Sequence, residues 1–150
     1  MKLNTLVMSR NHSCIKVLVA AFAELGIEYR ISVSAPETIE LLATGHHSAL
    51  VVDFDLPHAV QVAKIARSAF TKRKPVLFGM IGAENPVGGV LQAGANFVLY
   101  KPLDLSQVLH SLRAAQGFMQ LIAAVPVARR LKRWPISNFP AGPHLPWFVT

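Results

Sequence analysis

"ALVVDFDLPH", residues 49–58, runs from four apolar residues into two acids, a proline and a histidine. Its first half reads as a strand buried on both faces, because parallel strands covered by helices lack polar alternation. Its second half puts Asp53 and Asp55 where such a strand would leave the core. What those acids can do depends on what the rest of the chain brings to that point.

The neighbouring segments repeat one pattern. Residues 3–8 read as a short strand. Residues 12–25 carry Ile15, Leu18, Val19, Phe22 and Leu25 at helical spacing, with Gly26 as a stop. Residues 28–34 are β-branched and alternating, a second strand. Ser34, Pro36 and Glu37 form a capping-box start for a helix that ends at Gly45. After the third strand, 48–54, come a helix over 59–70 and a fourth strand over 75–80. A weak helix through "NPVGGVLQAG" follows, its paired glycines unfavourable. The fifth strand is 96–100, and Asp104 or Ser106 caps a last helix to residue 121. Alternating strands and helices predict an α/β fold: a doubly wound, five-stranded parallel sheet in a three-layer sandwich, strand order 2-1-3-4-5. In that order the functional crevice lies beyond the carboxyl ends of strands 1 and 3. Asp53 falls there, as do Ser9, Arg10 and Asn11.

Composition agrees with one domain and a short appendage. The chain has 150 residues, 52% hydrophobic and 15% charged, too apolar for a disordered chain. No apolar run is long enough to predict a membrane-spanning helix, and the N-terminus lacks a signal-peptide pattern. A single cysteine, Cys14, excludes an internal disulfide, fits a cytoplasmic location, and is read as packing. The net charge of +7 is uneven. No acid follows Asp104, whereas Arg113, Arg129, Arg130, Lys132 and Arg133 do. The expected division is a domain over 1–121 and a basic, proline-rich extension over 122–150.

"LVVDFDLP" and "LQAGANFVLYKPL" together resemble a response-regulator receiver domain of flavodoxin-like fold. The resemblance spans residues 2–121. It implies a phosphoacceptor position at Asp53, a crevice lysine at Lys101, and a cis Lys101–Pro102 bond. Three departures stand out. The two magnesium-holding acids after strand 1 are matched by Ser9 and Arg10. The hydroxyl residue at the end of strand 4 is matched by Met80. The strand-5 aromatic is matched by Val98. Phosphoryl transfer to a carboxylate needs a cation to screen the phosphoryl oxygens, and magnesium is held through carboxylate oxygens. A degenerate receiver is therefore expected. Asp53 would form a static ion pair with Lys101, Arg10 would stand in for the cation, and Asp55 would complete the pocket. No metal, cofactor or enzymatic activity is expected.

"VARRLKRWPI" resembles the start of a PilZ domain, whose RxxxR segment binds cyclic di-GMP. Arg129 and Arg133 match that spacing, with Arg130 beside them. Only residues 134–150 remain for the barrel, and the family's D/NxSxxG segment is absent. Six histidines suggest no metal site: His46 and His47 are adjacent, and His58 is misplaced for a DxHxxG motif. No P-loop or GxGxxG follows strand 1.

The function expected is a non-catalytic signalling module acting by protein–protein contact with an unidentified partner. The alternatives are a phosphorylatable receiver and a cyclic di-GMP sensor. Nucleic acid is not an expected partner. A homodimer is expected through helix 4, strand 5 and helix 5. Phe118, Met119, Leu121 and Ile122 would extend that face, with nothing in a lone domain to cover them.

Overall fold

The computed structural model describes residues 3–68 and 74–123. The elements run β1 (Asn4–Met8), α1 (His12–Leu25), β2 (Glu28–Ser32), α2 (Ala35–Thr44), β3 (Ala49–Asp53), α3 (Ala59–Ala66), β4 (Val76–Ile81), α4 (Val87–Gln92), β5 (Phe97–Tyr100) and α5 (Leu105–Ala123). The sheet order is β2-β1-β3-β4-β5, every neighbouring pair parallel. Fold class and strand order are those expected from the alternating pattern.

Local chemistry sets the boundaries. Asn11 opens α1 by accepting a hydrogen bond from Cys14 N at 3.1 Å, and Gly26 closes it at φ 66°, where a side chain would be strained. β2 is shorter than expected. Ser34 leaves the strand to cap α2, accepting from Glu37 N at 3.4 Å, while the Glu37 carboxylate accepts from Val33 N at 3.5 Å. α3 is also shorter: Arg67 is its C-cap and a turn follows. There the Arg67 guanidinium turns inward to Pro75 O and Asn96 Oδ1. Asp104 caps α5 by accepting from Gln107 N at 3.3 Å. α5 continues past residue 121.

The sheet separates two apolar layers. Val7, Val51, Phe78, Met80 and Leu99 face α1 and α5, packing on Leu18, Phe22 and Leu112. Leu6, Met8, Leu50, Val52, Leu77 and Ile81 face the other way, onto Leu42, Val62 and Val90 of α2, α3 and α4. Alternate strand residues thus enter opposite layers, which is why the strands look continuously apolar in sequence. α4 sits especially close to the sheet. A Cβ added at Gly79 would lie 2.4 Å from Val90 Cγ1 and 3.0 Å from Phe54 Cε1, so a strand glycine is what admits both side chains.

Phe118 and Met119 correct one expectation. Both are partly buried against the α1/α5 layer, because α5 is packed alongside α1. Leu121 is 68% exposed. The side chain of Ile122, and Arg129, Arg130 and Arg133 with the rest of 124–150, lie outside the described residues.

Candidate functional site: an acid crevice bridged by lysine

β3 ends at Asp53, which is only 2% exposed. A carboxylate buried this far is costly unless donors surround it. Lys101 Nζ lies 2.7 Å from its Oδ1, and Asp55 N donates to the same oxygen at 3.0 Å. Ser9 Oγ donates to Oδ2 at 3.1 Å. Ser9 is itself fully buried, and its oxygen accepts from Asn11 N at 3.1 Å. The turn after β1 therefore supplies one hydroxyl donor to the acid and caps α1 within three residues.

Asp55 is more open, its side chain 39% exposed. Its Oδ2 lies 2.7 Å from the same Lys101 Nζ. Its Oδ1 accepts from Asn85 Nδ2, in the turn between β4 and α4. Gly82 leaves room for this carboxylate: a Cβ there would stand 3.3 Å from Asp55 Oδ2. All four oxygens of the two acids thus have a donor from the chain itself.

Lys101 is placed by the sheet, because its backbone N extends the β4–β5 ladder to Ile81 O at 2.9 Å. The Lys101–Pro102 bond is cis. Burial alone would lower the pKa of this ammonium. Its hydrogen bonds to Asp53 and Asp55, with their charges, outweigh burial and raise it. Cys14 lies close enough to feel all three charges. Burial pushes its thiol up, Lys101 pulls it down, and the two acids push it up further, a direction that disfavours the thiolate.

Of the residues singled out in the sequence, Asp53, Ser9, Asp55 and Lys101 meet in one network. Met80 is the register partner of Asp53 on β4 and is fully buried. It brings no hydrogen-bond donor to the acid. Val98 packs half-buried against the opposite layer. Arg10 does not join. It is exposed, and among the described residues the cation within ion-pair reach of Asp53 is Lys101. Ser9 takes the inward position, and the next side chain is turned to solvent. Among the described residues, no group of three His, Cys, Asp or Glu side chains could hold a metal ion, and no helix is long and apolar enough to cross a membrane. Asn85 was not foreseen. An asparagine before a proline signals a turn but does not say which side chain it will meet.

No family model and no curated protein sequence matches the chain. Solved structures do. The receiver domain of a sensor histidine kinase from Pseudomonas aeruginosa, with a magnesium ion coordinated in its active-site cleft, superposes with a TM-score of 0.67 at 18% identity, covering 78% of this chain and 99% of that one. The chemotaxis response regulator CheY4 of Vibrio cholerae gives 0.67 at 14% identity, covering 77% and 99%. A CheY-like receiver domain protein from Methanospirillum hungatei gives 0.69 at 15% identity, covering 80% and 98%. The chain has the receiver fold.

The magnesium ion of the Pseudomonas domain raises the question of fit. Magnesium takes oxygen ligands in near-octahedral geometry and is bound through one or two carboxylates. Here the first residue after β1 is a serine spent on Asp53, the second an exposed arginine, and both remaining acids are held by Lys101. This donor set does not fit a divalent cation. The lysine ammonium already supplies the positive charge between the two acids.

Proposed function

We propose that this chain is a receiver-like signalling module that acts through contact with other proteins, with Asp53 serving as part of a fixed ion-pair network and not as a phosphoacceptor. One observation carries the reading: Lys101 bridges Asp53 and Asp55 at 2.7 Å each, and every carboxylate oxygen already has a donor. In-line attack on a phosphoryl group needs a free carboxylate oxygen and a screening cation. A receiver-fold neighbour, that of the yeast regulator Ssk1, was solved in complex with the phosphotransfer protein Ypd1. Contact with a protein partner is accordingly the simplest use of this fold without the chemistry.

The test is to titrate the chain with magnesium and acetyl phosphate while following backbone amide spectra around Asp53. No saturable shift is expected at millimolar magnesium, and no phosphorylated species by mass. The double change Ser9→Asp with Arg10→Asp should introduce a magnesium-dependent shift. Saturable binding and labelling of the unaltered chain would defeat the reading.

For the contact surface, we propose self-association through α4, β5 and α5. Tyr100 ends β5 53% exposed, Leu105 opens α5, and Leu121 stands bare near its end. Exposed apolar side chains are a mark of interfaces, and a two-fold contact covers the same side chains on both copies. Light scattering should report a dimer at micromolar concentration, and Leu105→Asp with Leu121→Asp should give a monomer. A chain still monomeric at hundreds of micromolar would overturn the dimer.

A further inference from the structure

The three consecutive residues Asp53, Phe54 and Asp55 point to different places. Asp53 faces the buried pair with Lys101. Phe54 turns to the other side of the sheet, where it and Val90 of α4 both lie against Gly79. Asp55 reaches across the mouth of the crevice to Lys101 on one side and Asn85 on the other. Asn85 closes a turn by donating its backbone N–H to Gly82 O at 3.2 Å, and Pro86 then caps α4. Asp53 is the register partner of Met80 on β4, Phe54 N donates to Met80 O at 2.9 Å, and the Met80 side chain brings no hydrogen-bond donor to the acid.

The geometry points to Asp55, and not Asp53, as the residue that couples the acid crevice to α4, through its hydrogen bond with Asn85. α4 is short and carries two glycines, Gly88 and Gly89, with open space around them. Its own helix propensity is therefore poor, and it depends on what fixes its first turn. Asp55 acts as a positioning residue: drawing its carboxylate away from Asn85 releases the β4–α4 turn, while the Asp53–Lys101 pair stays closed. A partner protein whose basic side chain reached the exposed Asp55 would have that effect from outside. This inference does not depend on whether Asp53 can accept a phosphoryl group.

Hydrogen exchange of the α4 amides, Val90 to Ala93, reads the coupling directly. Asn85→Ala and Asp55→Ala should each speed exchange about five-fold, the scale of one partly exposed charge-assisted hydrogen bond. The double variant should be no faster than either single one, because both remove the same bond. Asn85→Asp removes the amide donor and sets a second carboxylate against Asp55, and should speed exchange at least as much. Asp53→Asn should change α4 exchange by less than about two-fold. Unchanged α4 exchange in Asn85→Ala would overturn the inference, as would an Asp53→Asn effect as large as that of Asn85→Ala. Should Asp55→Ala fail to fold, Asn85→Ala and Asn85→Asp still decide. Magnesium binding at Asp53 with α4 responding only to Asp55 and Asn85 would remove the proposed function and leave the coupling intact.

Discussion

Lys101→Met should destabilise the chain by about 3 kcal/mol, the scale of stripping one partner from a buried ion pair. Asp53 would keep Ser9 and the Asp55 amide but lose its only ion-pair cation among the described residues. The exposed Asp55 half of the bridge contributes little, because water replaces the lysine there. The loss should be largely recovered by pairing Lys101→Met with Asp53→Leu, since an apolar pair needs no compensation. Chemical denaturation of the three proteins checks this. Equal stability of Lys101→Met and the unaltered chain would show that the buried acid does not rely on the ammonium. The pH dependence follows from the raised pKa of Lys101. A group whose folded pKa lies above its unfolded value contributes fully below the unfolded value and loses its contribution as pH rises through the folded one. The part of the stability that depends on the Lys101 charge is therefore retained through neutral pH and disappears in alkali, above the ordinary lysine range. Lys101→Met should lack that alkaline step.

Phe78→Ala should cost about 3–5 kcal/mol, the usual range for emptying an aromatic site in a packed core. Phe78 is fully buried in the middle of β4 and stacks on Phe97 of β5, ring centroids 5.0 Å apart and planes 18° from parallel. Its layer contains Val51 and Met80, the residues flanking Asp53 along and across the strands. Thermal melting should drop by many degrees, with the crevice intact in the fraction that remains folded. Phe78→Leu should recover more than half of the loss, because most of the volume returns. A Phe78→Ala chain within about 1 kcal/mol of the original would mean that neighbouring side chains collapse into the space.

Most of the fold was legible because its signals are local and repeated. The capping set Ser34, Pro36 and Glu37 marks a helix start with a mechanism, and the helix begins there. Gly26 and Gly45 mark two helix ends where the chain does turn. The errors have physical causes. Val33 fits a strand by composition, but Ser34 is worth more as a cap than as a strand residue. Phe118 and Met119 looked unsupported because sequence distance from the fifth strand says nothing about how far α5 stays packed on its layer. The acid crevice was legible in its members and not in its wiring. Asp53, Asp55, Ser9 and Lys101 stand at strand ends, where topology alone brings them together. Arg10 was expected inside because it matches one of the lost magnesium-holding acids beside a retained aspartate, whereas alternation along the chain gives the inward place to Ser9. The sequence marks Asn85 as a turn residue but not its partner, which is 30 residues away along the chain and is met only because of how the turn is aimed.

The parallel sheet, with its two separate apolar layers, also acts as insulation. Val51 and Asp53 share a side with α1 and α5, while Phe54 and Val90 share the side of α4. Among the described residues, side chains that pack under α4 and those that pack on α1 and α5 belong to two separate clusters. Changes on the two sides should therefore combine independently. Drift in the outward surface of α4 can be accommodated while the crevice stays as it is, and among the described residues the strand end at 53–55 is where the two histories must agree.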